Sequence, residues 1–237
     1  TRCLSDWSSD VCSSDLIVCF GDSLTEGTYG GSYFETLRRL RPDLEPVNCG
    51  VGGDTILNLL ERLDEDVLAL QPDGVFIMIG GNDAISCSQP KVRSYYRNAK
   101  GISGGAVTPA EFSRSYREIL ERLHLAQVVA WVGLPPVEAN PALVAAMAEF
   151  NGLAREVARA YTVPVLDLAA AFTPADVPPR PLLDIGIILT IGQRQKSGWH
   201  NYQAAQAAGG FTFTFDGLHL MPEAAARMGA LIAAYLP

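Results

Sequence analysis

Histidine is scarce in this chain, with three residues among 237, and nowhere do Lys and Arg cluster densely enough to follow a phosphate backbone. With a formal charge of −8, that lack of grouped positive charge argues against nucleic acid and against anionic membrane surfaces as partners. No apolar run approaches the about eighteen residues needed to cross a bilayer, and the first residues lack the charged-then-apolar order of a signal peptide, so the chain reads as soluble. The five cysteines include no C-x-x-C pair and have no His at metal-ligand spacing. No zinc site, other metal or cofactor is expected. What the chain does have is apolar content, 48%, enough for one sizeable core and hence one domain.

The first sixteen residues read differently from the rest. They form short polar clusters without a period and then switch abruptly to the apolar run LIVCF. WSSDVCSSDL, Trp7 to Leu16, resembles one translated frame of a sequencing adapter. Residues 1–16 are therefore expected to be a foreign leader, with the native start missing and a single domain running over 17–237. That leaves the compartment open, cytoplasmic or exported. Setting Cys3 and Cys12 aside leaves Cys19, Cys49 and Cys87, an odd trio without a disulfide framework. Cys19, inside a strand pattern, and Cys49, at the end of another, read as small apolar packing groups.

Short β-branched runs recur between longer helical patterns: LIVCF (16–20), EPVNC (45–49), GVFIMIG (74–80), QVVAWVG (127–133) and VPVLDL (163–168). These read as buried parallel strands. Between them, Tyr33, Phe34, Leu37 and Leu40 share one helical face, as do Ile56, Leu59, Leu60, Leu63 and Val67. Thr108, Pro109 and Glu111 form a helix start; Asn140 and Pro141 open an Ala-rich helix to about Ala160; a last helix follows Pro222 with Met228, Leu231, Ile232 and Tyr235 inward. The alternation predicts a three-layer α/β/α fold around a parallel sheet. Residues 84–107, with Lys91, Arg93, Arg97 and Lys100 beside Tyr95 and Tyr96, and residues 173–215 read as two long loops. The basic loop reads as solvated surface or cleft wall. LLDIGIILTIG, Leu182 to Gly192, leaves two readings open, an acyl-chain-binding flap or core packing.

Four strand-edge motifs carry chemistry. GDSLTEG, Gly21 to Gly27, ends the first strand at the edge where ligands bind in open α/β sheets. Its Ser23 is either a nucleophile or simply a helix N-cap. NCGVGGDT, Asn48 to Thr55, is a glycine-rich turn whose Gly53 amide can approach a ligand. GGND brings Asn82 to the third edge, as an amide donor or a turn former. In DGLH, Asp216 stands three residues before His219, close enough to accept its Nδ1 proton and leave Nε2 free as a base. In a sheet of order 2-1-3-4-5, with neighbouring strands about 4.8 Å apart, the loops of Ser23, Gly53 and Asn82 converge. That layout supplies the parts of an acyl-transfer site. His124 ends a helix, where His serves the dipole. His200 belongs to the cleft wall or the surface.

In family order and over about 200 residues, GDSLTEG, NCGVGGDT, GGND and DGLHL resemble the four blocks of the SGNH hydrolases, the GDSL esterases and lipases. The resemblance implies a flavodoxin-like α/β/α sandwich with a central five-stranded parallel sheet. It implies a catalytic triad of Ser23 as nucleophile, His219 as general base and Asp216 orienting it. It further implies an oxyanion hole of the Ser23 and Gly53 backbone N–H groups and the Asn82 side chain. The expected activity is metal-independent hydrolysis of carboxylic esters on small molecules through an acyl-enzyme, with short-chain acyl or acetyl esters foremost. Longer acyl chains (lysophospholipids or thioesters) and acetylated carbohydrates are the alternatives. A silent ligand-binding module is the non-enzymatic rival, countered by the intact Ser23, Asn82, Asp216 and His219. An α/β-hydrolase would need a G-x-S-x-G elbow, and none follows any of the five strand patterns. A dinucleotide or phosphate cradle would need G-x-G-x-x-G or a P-loop, and NCGVGGDT matches neither.

Overall fold

A computed structural model describes residues 15–172, 174 and 176–237; residues 1–14, with Cys3 and Cys12, lie outside them. Strand β1 (Asp15–Gly21) runs into the short helix α1 (Ser23–Glu26), followed by α2 (Tyr33–Leu40), β2 (Leu44–Gly50) and α3 (Ile56–Asp66). Then come β3 (Gly74–Met78), α4 (Gly81–Ser88), α5 (Arg93–Ala99), α6 (Pro109–Leu125), β4 (Val129–Gly133) and α7 (Pro141–Ala160). The chain ends with β5 (Val165–Leu166), α8 (Leu168–Phe172), α9 (Ile185–Ser197), α10 (Tyr202–Gly209) and α11 (Pro222–Tyr235). The five strands pair in parallel in the order β2-β1-β3-β4-β5, the order in which the motif loops converge.

Side chains alternate across the sheet, as a strand covered on both faces demands. Val18 and Phe20 join Val75 and Ile77 in a core with α3, α6 and α7, whereas Ile17 and Cys19 join Phe76 and Met78 in a second core under α2 and α11. The helix faces read from the sequence point inward with one exception: Leu40, in the last turn of α2, is exposed. The capping box Thr108–Glu111 and the Asn140 N-cap both form. Cys19 is buried and Cys49 half-buried, each a free thiol.

Strand β1 begins one residue before the LIVCF pattern: Asp15 and Leu16 pair with Leu44 and Glu45, and the Leu16 N–H donates to Asp73 at 2.7 Å. Two sequence expectations need correction. Residues 84–107 are no open loop but hold most of α4, all of α5 and two 3-10 turns. These helices are too short to be stable alone, so tertiary contacts set them rather than a periodic sequence. One example is Arg93, whose guanidinium donates to the Ser86 and Cys87 carbonyls at 3.0 and 2.7 Å. The described part of 173–215 likewise contains α9 and α10.

One side chain clasps the sheet edge that matters most. Arg62 on α3 donates to the Gly21 carbonyl (3.0 Å), the Cys49 carbonyl (2.9 Å) and the Asp54 and Asp66 carboxylates (2.8 and 2.6 Å). Its guanidinium also lies 4.5 Å over the Phe20 ring. The ends of β1 and β2, which lead directly to Ser23 and Gly53, are thus tied to each other through one guanidinium. Arg62→Met removes four donor contacts and is expected to destabilise the fold by about 2–4 kcal/mol. Thermal denaturation should show this as a midpoint lower by roughly 5–15 °C.

Candidate active site

Ser23 occupies the first position of α1, and the N-cap is Asp22, whose Oδ1 accepts from the Leu24 N–H at 3.0 Å. The capping role that Ser23 might have filled therefore falls to its neighbour, and Ser23 Oγ is free to face the cavity. The turn is tight enough to require small residues before it. A Cβ on Gly21 would meet the Met78 carbonyl oxygen at 2.4 Å, and one on Gly50 would meet the Glu26 nitrogen at 2.1 Å. Gly53 has φ +82°, and a Cβ there would fall 2.1 Å from the Tyr95 hydroxyl, so only glycine brings this backbone to the site.

Asp216 and His219 lie in a loop closed by a bridge between Thr214 and Leu220. His219 Nδ1 is 2.9 Å from Asp216 Oδ2 and Nε2 is 3.1 Å from Ser23 Oγ. A carboxylate only accepts, so Nδ1 carries the proton and Nε2 is left to accept from the serine hydroxyl. Asp216 Oδ1 also accepts the N–H groups of Leu218 (2.9 Å) and His219 (2.8 Å), which fixes the carboxylate. Burial by itself would push Asp216 up, but the His219 charge and these hydrogen bonds outweigh it and hold the group below the usual carboxylate range. Burial likewise works to lower His219, and the Asp216 charge and hydrogen bond, helped by Asp22 and Glu26, lift it above its ordinary value. The Tyr29 ring packs edge-on to the imidazole at 4.9 Å, and its hydroxyl accepts from Arg194 on α9 at 3.3 Å.

The loop rests on a carboxylate that no motif pointed to. Buried Glu138 accepts from the backbone N–H of Thr212, Phe213 and Thr214 and from the Thr214 hydroxyl, all at 2.6–3.0 Å. In PPVEAN it sits between Val137 and Ala139 and carries no sequence signal.

Asn82 sits in the first turn of α4. Its Nδ2 donates to Asp22 Oδ2 at 3.3 Å, and its Oδ1 accepts from the Tyr96 hydroxyl at 2.8 Å. The adjacent Asp83 is fully buried; it accepts from the Ile56 N–H at 3.0 Å, joining the starts of α4 and α3. Burial pushes Asp22 up to about 6 and Asp83 up to about 8.

Ser23, Gly53, Asn82 and His219 line one cavity of about 350 Å³. Its opposite wall is apolar: Ile85, Pro135, Pro136 and Val137, with Leu183, Ile187, Ile188 and Ile191 contributed by α9 and the residues before it. Within the apolar stretch 182–192, Leu183, Ile187, Ile188 and Ile191 thus line the cavity and also pack against the two cores. Of the segment 84–107, Ile85, Tyr95 and Tyr96 reach the cavity, whereas Lys91, Arg93, Arg97 and Lys100 are outside its lining. Lys100 pairs instead with Asp54 at 2.8 Å. His124 lies in the last turn of α6, and His200 is exposed, outside the cavity, with Nδ1 2.8 Å from the Gly198 carbonyl. Gly101–Gly105 fits G-x-S-x-G by spacing, but it follows α5 rather than a strand, and its Ser103 is exposed and outside the cavity.

A family model for GDSL-like lipases/acylhydrolases matches residues 19–188. The chain belongs to this family. An acetylxylan esterase from Geobacillus stearothermophilus is 36% identical over 89 residues, 30% of this chain and 41% of that protein. The chain spans less than half the length of the curated relatives it matches. Among solved structures, a lipase/acylhydrolase from Enterococcus faecalis superposes with a TM-score of 0.63 at 24% identity, covering 93% of this chain and 94% of that one. An acetylxylan esterase structure from Geobacillus stearothermophilus does so at 0.62 and 19%, covering 94% of each. These superpositions establish the GDSL-family fold. No helix among the described residues is long and apolar enough to cross a membrane.

A reaction in which His219 accepts the proton needs the imidazole neutral, so its rate would rise with pH through the raised pKa. The acid limb of kcat/KM should therefore have its midpoint above 6.5. Asp216→Asn removes the charge that lifts the imidazole and the acceptor that fixes its tautomer. A pH profile of that variant should show the limb moved to lower pH and kcat reduced on the order of 10³- to 10⁴-fold.

Proposed function

We propose that this chain is a serine esterase that hydrolyses carboxylic esters of small molecules through an acyl-enzyme, with residues 15–237 acting as one hydrolase unit. The observation that carries the reading is the continuous relay from Asp216 through His219 to Ser23, at 2.9 and 3.1 Å. Ser23 Oγ attacks the ester carbonyl carbon while Nε2 takes its proton, and the carbonyl electron pair moves onto oxygen. The Ser23 and Gly53 backbone N–H groups and the Asn82 amide stabilise that oxyanion. Collapse expels the alkoxide, which leaves as the alcohol after taking the proton from His219. Water, deprotonated by the same imidazole, then releases the acid and restores Ser23.

Acetyl and other short-chain acyl esters are the first substrate class, in keeping with the acetylxylan esterases among the relatives. The apolar wall of Leu183, Ile187, Ile188 and Ile191 favours a second class, longer acyl chains, because a cavity of about 350 Å³ far exceeds an acetyl group. A p-nitrophenyl ester series of increasing chain length, run beside an acetylated xylo-oligosaccharide, separates the two. A kcat/KM maximum at acetate supports the first; a rise through six to eight carbons supports the second.

Ser23→Ala is expected to keep the thermal midpoint and lose ester hydrolysis, and wild-type-like turnover in that variant would refute the nucleophile. Asn82→Ala should lower kcat on the order of 10²- to 10³-fold in steady-state assays. A change confined to KM would mean that Asn82 binds substrate without stabilising the transition state.

A further inference from the structure

An amide side chain has two ends of equal size and opposite chemistry, and only its NH2 end can stabilise an oxyanion. We infer that Tyr96 is a positioning residue that holds the Asn82 amide with its NH2 group toward the cavity. The inference rests on the oxyanion role proposed for Asn82. It comes from α5, inside the segment 84–107 that lies outside the four sequence blocks.

Two hydrogen bonds to Asn82 and the immobility of Tyr96 carry the argument. The Tyr96 hydroxyl donates to Asn82 Oδ1 at 2.8 Å, so the oxygen end is engaged on the side away from Asp22. Asp22 Oδ2 receives Nδ2 at 3.3 Å, a longer bond that engages one of the two amide protons and leaves the other for the cavity. Reversing the amide would set Asn82 Oδ1 against the Asp22 carboxylate, two acceptors face to face. Tyr96 is itself immobile: its side chain is fully buried, its ring meets Tyr95 edge to face at 5.1 Å, and its carbonyl accepts from Ile102 at 3.0 Å and Lys100 at 3.2 Å. Without the hydroxyl, Asn82 Oδ1 would face an aromatic ring with no donor, and the amide would turn to recover one. The rotation moves the NH2 group off the oxyanion while leaving the cavity's shape, and hence ground-state binding, nearly unchanged.

The test is a double-mutant cycle on Tyr96→Phe and Asn82→Ala, with kcat, KM and thermal midpoint measured for a p-nitrophenyl ester. Tyr96→Phe alone should lower kcat about tenfold with KM within about twofold. In the Asn82→Ala background the same substitution should cost nothing further. An equal loss in both backgrounds, an unchanged kcat in the single variant, or an effect on KM alone would overturn the inference. Instability in both backgrounds would also overturn it, since the hydroxyl would then be holding the fold rather than the amide. Ser23→Ala run in parallel separates the two levels. Residual turnover there removes the esterase reading and this inference together, whereas an inactive Ser23→Ala with an additive cycle removes the Tyr96 role only.

Discussion

The parallel register of the sheet brings Gly21 level with Gly50 on one side and Met78 on the other, and Met78 level with Gly133. The first three strands therefore end on one line, and Ser23, Gly53 and Asn82 follow within two to four residues of it. Side chains on loops so short have little freedom to wander. Their convergence depends on the hydrogen-bond register, and a slip of one residue would turn each to the opposite face. Arg62 reinforces the line from behind by bonding the Gly21 and Cys49 carbonyls together with Asp54.

The fourth part of the site arrives from a distance. Asp216 and His219 are separated by almost the whole chain from Ser23, and no strand end delivers them. Their loop is held by buried carboxylates instead: Glu138 gathers the N–H groups of residues 212–214, and Asp216 gathers those of Leu218 and His219. Backbone donors in this stretch are thereby satisfied without regular secondary structure. The His219 charge, with these hydrogen bonds, holds Asp216 below its usual range, so the imidazole keeps a charged partner although both groups are buried. Tyr29 adds a link from the imidazole to Arg194 on α9, the helix that walls the apolar side of the cavity.

Much of this was legible in the chain, for identifiable reasons. The central strands stood out because β1, β3 and β4 are short apolar runs largely buried in the sheet, and the order 2-1-3-4-5, implied by the family resemblance, is the one in which the motif loops converge. The residues that meet at Ser23 could be picked out because the acyl-transfer chemistry proposed for them restricts residue type and spacing together. The helices of 84–107 and 173–215 were not. Four isoleucines and two glycines give Ile185–Ser197 a poor helix propensity, although Asp184 and Gly198, which cap it, were there to be read. Tyr96 and Glu138 were invisible for a different reason. Each acts through one tertiary hydrogen-bond network, and nothing in its local sequence distinguishes it from a core aromatic or a surface acid. The basic residues of 84–107 read as solvated surface or cleft wall; the structure exposes Lys91 and Arg97, uses Arg93 and Lys100 for internal bonds and sends the tyrosines inward.

The central claim is that Ser23 is the nucleophile activated by His219. A fluorophosphonate ester reacts covalently with such a serine, and peptide mass mapping of the labelled protein reads the position directly. The account predicts a single phosphonyl adduct on Ser23, lost in His219→Ala and in heat-denatured protein. No adduct, or one on another serine at comparable rate, would contradict it.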